Sequence, residues 1–293
     1  MTARLIIADI DTGEREVVFE SDSLHFEAPN WSPDGRWLVI NADGRLFRLP
    51  AGSEGADAVA ADGAALTEID LGDVPGINND HLIAPDGRSF FVSGHDGHLY
   101  EVPWEGGSSR RITPDRDPEL RFKHYLHGVS PDGSTLSYIG GGVDAAGEWV
   151  TNVYTIAADG TDDRRLTNDA FPDDGAEFGP DGETIWFNSE RGSDTPGHAQ
   201  VFTMALDGSG ITQLTFDDRV NWFPHPSPDG RRIVYISFPP GTLGHPADRD
   251  VYLRALDPAT HETRDLDHFT GGQGTINVTS WAPDSRRFAY VTY

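Results

Sequence analysis

Cysteine is absent from the 293 residues, so no disulfide can staple the fold and no thiolate can act as nucleophile or metal ligand. Stability has to come from packing and strand pairing. Long apolar runs are missing as well. The run near the amino end, Leu5-Ile-Ile-Ala8, stops at Asp9, too short for a secretory h-region and far short of the roughly 20 apolar residues of a membrane helix. These absences predict a cytoplasmic chain with no membrane insertion. Positive charge is scarce: 22 Lys and Arg stand against 48 Asp and Glu, a formal net charge of −26, and the lysine is a single residue, Lys123. Such a field repels phosphate backbones and excludes nucleic acid as a partner, while favouring solubility. No Gly-x-Ser-x-Gly elbow, phosphate-binding glycine loop or His-Glu-x-x-His helix occurs.

Glycine (33) and proline (20) are abundant, which suits many short strands joined by tight turns. One motif recurs six times: Ser32-Pro-Asp-Gly35, Ala84-Pro-Asp-Gly87, Ser130-Pro-Asp-Gly133, Gly179-Pro-Asp-Gly182, Ser227-Pro-Asp-Gly230 and Ala282-Pro-Asp-Ser285. Proline presets φ for the turn, aspartate caps it through its side chain, and glycine takes the positive φ that reverses the chain. An apolar strand follows each turn, as in Trp37-Leu-Val-Ile40 or Arg232-Ile-Val-Tyr-Ile236, then a strand with a central aromatic, as in Asn152-Val-Tyr-Thr-Ile156. Further strands end in Arg-Ile-Thr113, Arg-Leu-Thr167 and Gln-Leu-Thr215. Four strands in a repeat of about 40 to 50 residues indicate propeller blades.

The expected fold is therefore all-β, a six-bladed β-propeller forming one domain over residues 1–293. The sixth repeat reaches the chain end after its second strand, and Leu5 to Ile10 with Arg15 to Glu20 carry the alternation of the missing two. Pairing them with Arg287 to Tyr293 closes the ring and removes sheet edges.

The inner strand of each blade ends at its turn on the bottom face, so residues several positions before each turn reach the top of the central channel. These include His25, Glu27, Asn30, Asn79, Asp80, His81, His124, His127, Asp174, Glu177, Asn221, Trp222, His225, Gln273 and Asn277. Loops between second and third strands add His245 and Arg249. An imidazole- and carboxylate-rich ring there predicts a site for a polar small molecule. Substrate contacts are expected from Asn79, Asp174, Asn221, Trp222, Arg249 and Asn277, with Trp222 offering a flat face for a sugar ring. Gly140-Gly-Gly142 reads as a flexible top loop.

The repeat of Ser-Pro-Asp-Gly, apolar strand, aromatic strand and Leu-Thr resembles that of the TolB-like propeller family, specifically its cytoplasmic members. The segments Asn221-Trp-Phe-Pro-His-Pro226, Gly244-His-Pro-Ala-Asp-Arg249 and Gly271-Gly-Gln-Gly-Thr-Ile-Asn277 more faintly resemble the propeller oligogalacturonate lyases. That resemblance implies a divalent metal, Mn²⁺, Ca²⁺ or Zn²⁺, held by His225, His245 and Gln273. The metal would bind a uronate carboxylate while His81, His124 or His127 removes the α-proton in a β-elimination. Neutral nitrogen and amide ligands suit Mn²⁺ or Zn²⁺ better than Ca²⁺. The competing expectation is a protein-interaction scaffold without catalysis, whose top face docks a protein partner.

Overall fold

The computed structural model describes residues 2–52 and 66–293. Blade 1 comprises Glu27–Trp31, Trp37–Ala42, Arg45–Pro50 and Thr67–Ile69; blade 2, Ile77–Ile83, Ser89–Gly94, Leu99–Pro103 and Arg110–Arg111. Blade 3 comprises Lys123–Val129, Thr135–Val143, Trp149–Ala157 and Arg164–Arg165; blade 4, Asp173–Phe178, Thr184–Ser189, Gln200–Ala205 and Thr212–Gln213. Blade 5 comprises Val220–Pro226, Ile233–Phe238, Arg249–Leu256 and Thr263–Gly271. Within these five blades every pairing is antiparallel between sequential neighbours, the short-range connectivity that tight turns favour. Among the described residues no helix is long and apolar enough to cross a membrane.

Blade 6 contains both termini. Ala3–Asp9 lies between Arg15–Ser21 and Arg287–Thr292, with Leu5 opposite Phe19 on one side and Val291 on the other. The ring thus closes as the sequence indicates. The blade differs from the expected four strands in its innermost position, which joins the sheet by one bridge, Trp281 to Phe288. Higher up, this segment turns its polar groups to neighbouring blades: the Asn277 amide donates to Asp80 and the Ile276 carbonyl accepts from His225.

Six apolar clusters fill the six gaps between blades. Alternation along a strand sends Leu5 and Ile7 into the gap toward blade 1, with Leu38 and Phe47, and Ile6 and Ala8 into the gap toward blade 5, with Val234 and Ile236. Both faces of a blade are buried, which is why the strands read as apolar runs.

The repeated turns form the bottom. In the first, Gly35 N–H donates to Ser32 O at 2.9 Å, Ser32 Oγ donates to Asp34 Oδ1 at 2.6 Å, and Gly35 has φ 74°. Neighbouring turns also touch. A methyl carbon on Gly35 would stand 3.8 Å from Pro283, one on Gly133 3.6 Å from Pro85, one on Gly182 3.5 Å from Pro131, and one on Gly230 3.2 Å from Pro180. Between blades 5 and 6 the contact is a hydrogen bond of 3.1 Å from Asp229 N–H to Ser285 Oγ. Ser285 itself takes φ 58° where the other turns have glycine.

Candidate functional site at the channel mouth

Near its upper end the inner strand of each of the first five blades carries a β-bulge: between Glu27 and Asn30, Ile77 and His81, Leu126 and Gly128, Asp174 and Glu177, and Trp222 and His225. An extra residue bends the strand and resets which side chains face which way. Asp174 and Glu177, three apart, consequently both reach imidazoles of neighbouring blades.

Asp174 is the meeting point of blades 3, 4 and 5. Its Oδ1 lies 2.9 Å from His127 Nε2 and its Oδ2 3.5 Å from His245 Nε2. His127 is enclosed at 3% side-chain exposure, whereas Asp174 and His245 keep 20% and 27%, so solvent reaches the carboxylate. Burial alone would raise the Asp174 carboxyl; the hydrogen bonds from His127 and His245 and their charges outweigh it and hold the group well below the usual range. For His127 burial favours the neutral ring, but the bond to Asp174 and the charges of Asp174 and Asp80 win and raise its pKa. The pair is an ionised carboxylate against an imidazole that keeps its proton more firmly than usual.

Around this pair stand Asp80 and Tyr125. Asp80 is enclosed, and burial raises its carboxyl although His127 and amide donors from Asn277 (2.6 Å) and Asn78 (2.5 Å) oppose this. The Tyr125 phenol is raised by burial and then by the charges of Asp80 and Asp174, which places it in the field of both. A second polar group joins blades 6, 1 and 2: Gln273 Nε2 donates to Asn79 Oδ1 at 3.3 Å, Asn277 Nδ2 to the Asn79 carbonyl at 3.2 Å, and Asn79 Nδ2 to Glu27 at 3.4 Å. His25 Nε2 meets Glu27 at 3.3 Å, and that bond raises the imidazole pKa. Gly274 packs where any side chain would strike the Glu27 carboxylate, the close approach its lack of a Cβ permits.

The remaining expected residues fall elsewhere. His225 is 2% exposed; its Nδ1 lies 2.5 Å from Glu177 Oε2 and its Nε2 donates to Ile276 O at 2.7 Å. Both ring nitrogens are therefore engaged, and no lone pair is left for an ion. His225, His245 and Gln273 have separate partners (Glu177, Asp174 and Asn79), and among the described residues no three His, Asp or Glu side chains are grouped to hold a metal. The implied metal set does not fit. His81 and His124 point away from the Asp174 pair. His81 is enclosed with no hydrogen bond of good geometry to its ring. His124 donates Nδ1–H to Gly97 O at 2.6 Å and packs against Phe122, Tyr138 and His98. Burial depresses both to about 4, leaving them neutral.

Asn221 is buried in a network with Gln200, Thr215, Asp217 and Ser237. The Trp222 ring, 6% exposed, sits edge-on to His245 at 4.6 Å and offers no open face. Arg249 is exposed at the start of its strand, opposite Gly271.

An exposed aromatic face beside Tyr125 is instead that of Trp149, 48% exposed on blade 3. Its indole folds over Gly141, beside Tyr125: a methyl carbon on Gly141 would be 2.7 Å from Trp149 Cζ2 and 3.2 Å from Tyr125 Cε2. Gly140 to Gly142 form part of the strand Thr135–Val143, in place of the expected flexible loop, because aromatic rings fill the space their side chains would take. Trp149 escaped sequence reasoning because it belongs to the hairpin beyond the inner strand. Its one signal was an aromatic directly after the polar turn Asp144-Ala-Ala-Gly-Glu148.

A family model described as the TolB beta propeller domain matches residues 127–244. Over 297 residues the chain is 35% identical to the uncharacterized Agrobacterium fabrum (strain C58) protein Atu1656, covering 100% of this chain and 93% of that protein. A solved Agrobacterium tumefaciens structure, provisionally named TolB, superposes with TM-score 0.86 at 34% identity, covering 100% of this chain and 98% of the other. An oligogalacturonate lyase in complex with manganese shares the fold at TM-score 0.58 and 14% identity, over 92% of this chain and 74% of the lyase.

Proposed function

Since the chain belongs to the TolB-like β-propeller family and its inner strands bring polar side chains to the channel mouth, we propose that this mouth binds a carbohydrate. The observation that carries the reading is the Asp174 carboxylate, drawn from blade 4 between His127 of blade 3 and His245 of blade 5, and still open to solvent. An ionised carboxylate with spare lone pairs accepts hydrogen bonds from hydroxyls, and the amides of Asn79 and Gln273 add donors and acceptors. Trp149 beside Tyr125 supplies the stacking face that a pyranose ring uses.

Among carbohydrates the charge pattern favours neutral sugars. Glu27 and Asp174 border the mouth, so a uronate carboxylate would meet like charges offset only by imidazoles. The manganese of the distant lyase belongs to that protein; here the implied ligand His225 is committed to Glu177 and Ile276, and no metal-assisted elimination is derived. Binding, with His127 and Asp174 as the proton-holding pair, is the reading the geometry supports.

Calorimetric titration against neutral mono- and oligosaccharides, with galacturonate oligomers in parallel, tests this. Neutral sugars are expected to bind, and Trp149→Ala to weaken them about tenfold, the scale of one stacking contact. Uronates bound in place of neutral sugars would restore the lyase-like reading. No binding by either class would leave the protein-interaction scaffold ahead.

A further inference from the structure

A second cavity, of about 440 Å³, opens on the top side of blade 3, away from the Asp174 pair. Its walls come from the loop ending at Phe122, from the hairpin between Thr135–Val143 and Trp149–Ala157, and from residues 168–170 leading into blade 4. Along Thr135–Val143 successive residues face opposite sides, so Gly140 and Gly142 line this cavity while Gly141 lies under Trp149 on the other face. A methyl carbon on Gly140 would come within 2.5 Å of Tyr154. The missing side chains let Phe122 and Tyr154 stand edge-to-face, centroids 5.6 Å apart at 80°. This leaves an aromatic-walled space of the size that small-molecule pockets occupy.

Besides the Arg116 Nε–H, two polar groups in this space have donors that meet no acceptor among the described residues. Asn152 is 1% exposed. Its Oδ1 accepts weakly from Asp169 N–H and Thr167 Oγ1, both at 3.4 Å, which turns its amide N–H groups toward the cavity, where no described residue accepts from them. An amide donor left free on a cavity wall is available to a ligand oxygen. The second group is Arg165. Its Nε–H donates to Thr167 O at 2.7 Å and its guanidinium lies 5.9 Å from the Tyr154 ring centroid, but no carboxylate among the described residues pairs with it. Arg116, on the opposite wall at 4.6 Å from the Phe122 centroid, is neutralised by Asp163 at 2.6 Å. Two carboxylates also line the cavity: Asp144 Oδ1 accepts from the Ala146 and Glu148 N–H groups, and Asp169 lies 3.5 Å from Arg191. Of the two guanidinium groups, that of Arg165 is the one without a carboxylate partner, beside the free amide of Asn152.

We propose that this cavity binds a small ring-bearing carboxylic acid, its ring against Phe122 and Tyr154 and its carboxylate on Asn152 and Arg165. A guanidinium and an amide donor suit a planar carboxylate, and the two aromatic edges select a flat apolar body. The site is independent of the carbohydrate reading: its ligand is an anion and none of its groups contacts Asp174.

Calorimetry with benzoate, phenylacetate and cyclohexanecarboxylate, each against its neutral amide, tests the assignment. The acids are expected to bind and their amides to bind far more weakly. Arg165→Gln, at an exposed position that leaves the fold intact, should lower acid affinity about tenfold or more, the worth of one charge-assisted hydrogen bond. Asn152→Asp, which replaces a donor by a repelling carboxylate, should abolish binding, with far-UV circular dichroism confirming the fold. Asp174→Asn should leave acid binding unchanged. Absence of binding by all three acids, wild-type affinity in Arg165→Gln, or loss of acid binding in Asp174→Asn would each overturn the proposal.

Discussion

His225 donates its Nε2–H to the carbonyl oxygen of Ile276 at 2.7 Å, across the seam between blades 5 and 6. With its other nitrogen on Glu177 of blade 4, one imidazole ties three blades together. Each partner is buried, so removing the ring leaves a carboxyl group and a carbonyl without partners. His225→Ala should therefore cost about 3 to 5 kcal/mol of unfolding free energy, the scale for breaking a buried pair. Urea denaturation measures this. A metal-ligand role would instead leave the urea midpoint near that of the wild type.

Acid should weaken the fold through His81 and His124. Unfolded imidazoles take up protons near pH 6.5, whereas these two do so only near 4. Between those values the unfolded chain binds more protons, so stability falls as pH drops through the window, by up to about 3 kcal/mol per ring. His127 works in the opposite sense, since its raised pKa adds stability below pH 6.5 that is lost as pH rises through its folded value. Thermal melts from pH 7 to 4 should show a falling midpoint, and His81→Leu a shallower fall. A flat profile would contradict the neutral assignment of the two rings.

Asp174→Asn should reverse the shift at His127. With the bond and charge of Asp174 removed, burial becomes the dominant influence, and the imidazole pKa should drop below its ordinary value. Proton NMR of the histidine ring resonances across a pH titration reads this directly. Because the depressed Asp174 carboxyl contributes stability above its unfolded pKa that is lost only in strong acid, the variant should also melt lower at pH 7 while converging with wild type at low pH.

Removing residues 1–21 should open the ring. Ala3–Asp9 is the central strand of blade 6, and without it Arg287–Thr292 becomes an unpaired edge and Leu5, Ile6 and Ile7 leave two inter-blade clusters. The truncated chain should lose its cooperative melt and aggregate, and the missing peptide added in trans should restore solubility. Analytical ultracentrifugation distinguishes the outcomes.

The blade number, turn positions and closure were legible because each rests on local chemistry: proline and glycine at fixed dihedrals, and alternation with period two. The site was legible only in part. His127, Asp174 and His245 do meet, and so do Asn79, Gln273 and Asn277. Plain alternation would set His124 and His127, an odd number apart, on opposite sides, but the bulge between Leu126 and Gly128 falls at His127 itself. The bulges then break that parity for Asp174 and Glu177, and no residue type in those strands announces a bulge. The burial of Asn221 depends on blade 4 packing against blade 5, and that of Trp222 on blade 6 packing against the other face, which one strand's pattern cannot reveal.

The repeated Ser-Pro-Asp-Gly turn has a second role beyond closing its own hairpin. In four of the joints the proline of one turn rests on the glycine of the next, and at a fifth a hydrogen bond to Ser285 takes its place. The same four residues therefore act as both key and socket in a chain of neighbours around the floor. A side chain at Gly230, where Pro180 comes closest, would push on the adjoining blade and not only on its own turn. A blade can be duplicated or exchanged between such proteins only as a unit that brings its own proline to give and its own glycine to receive.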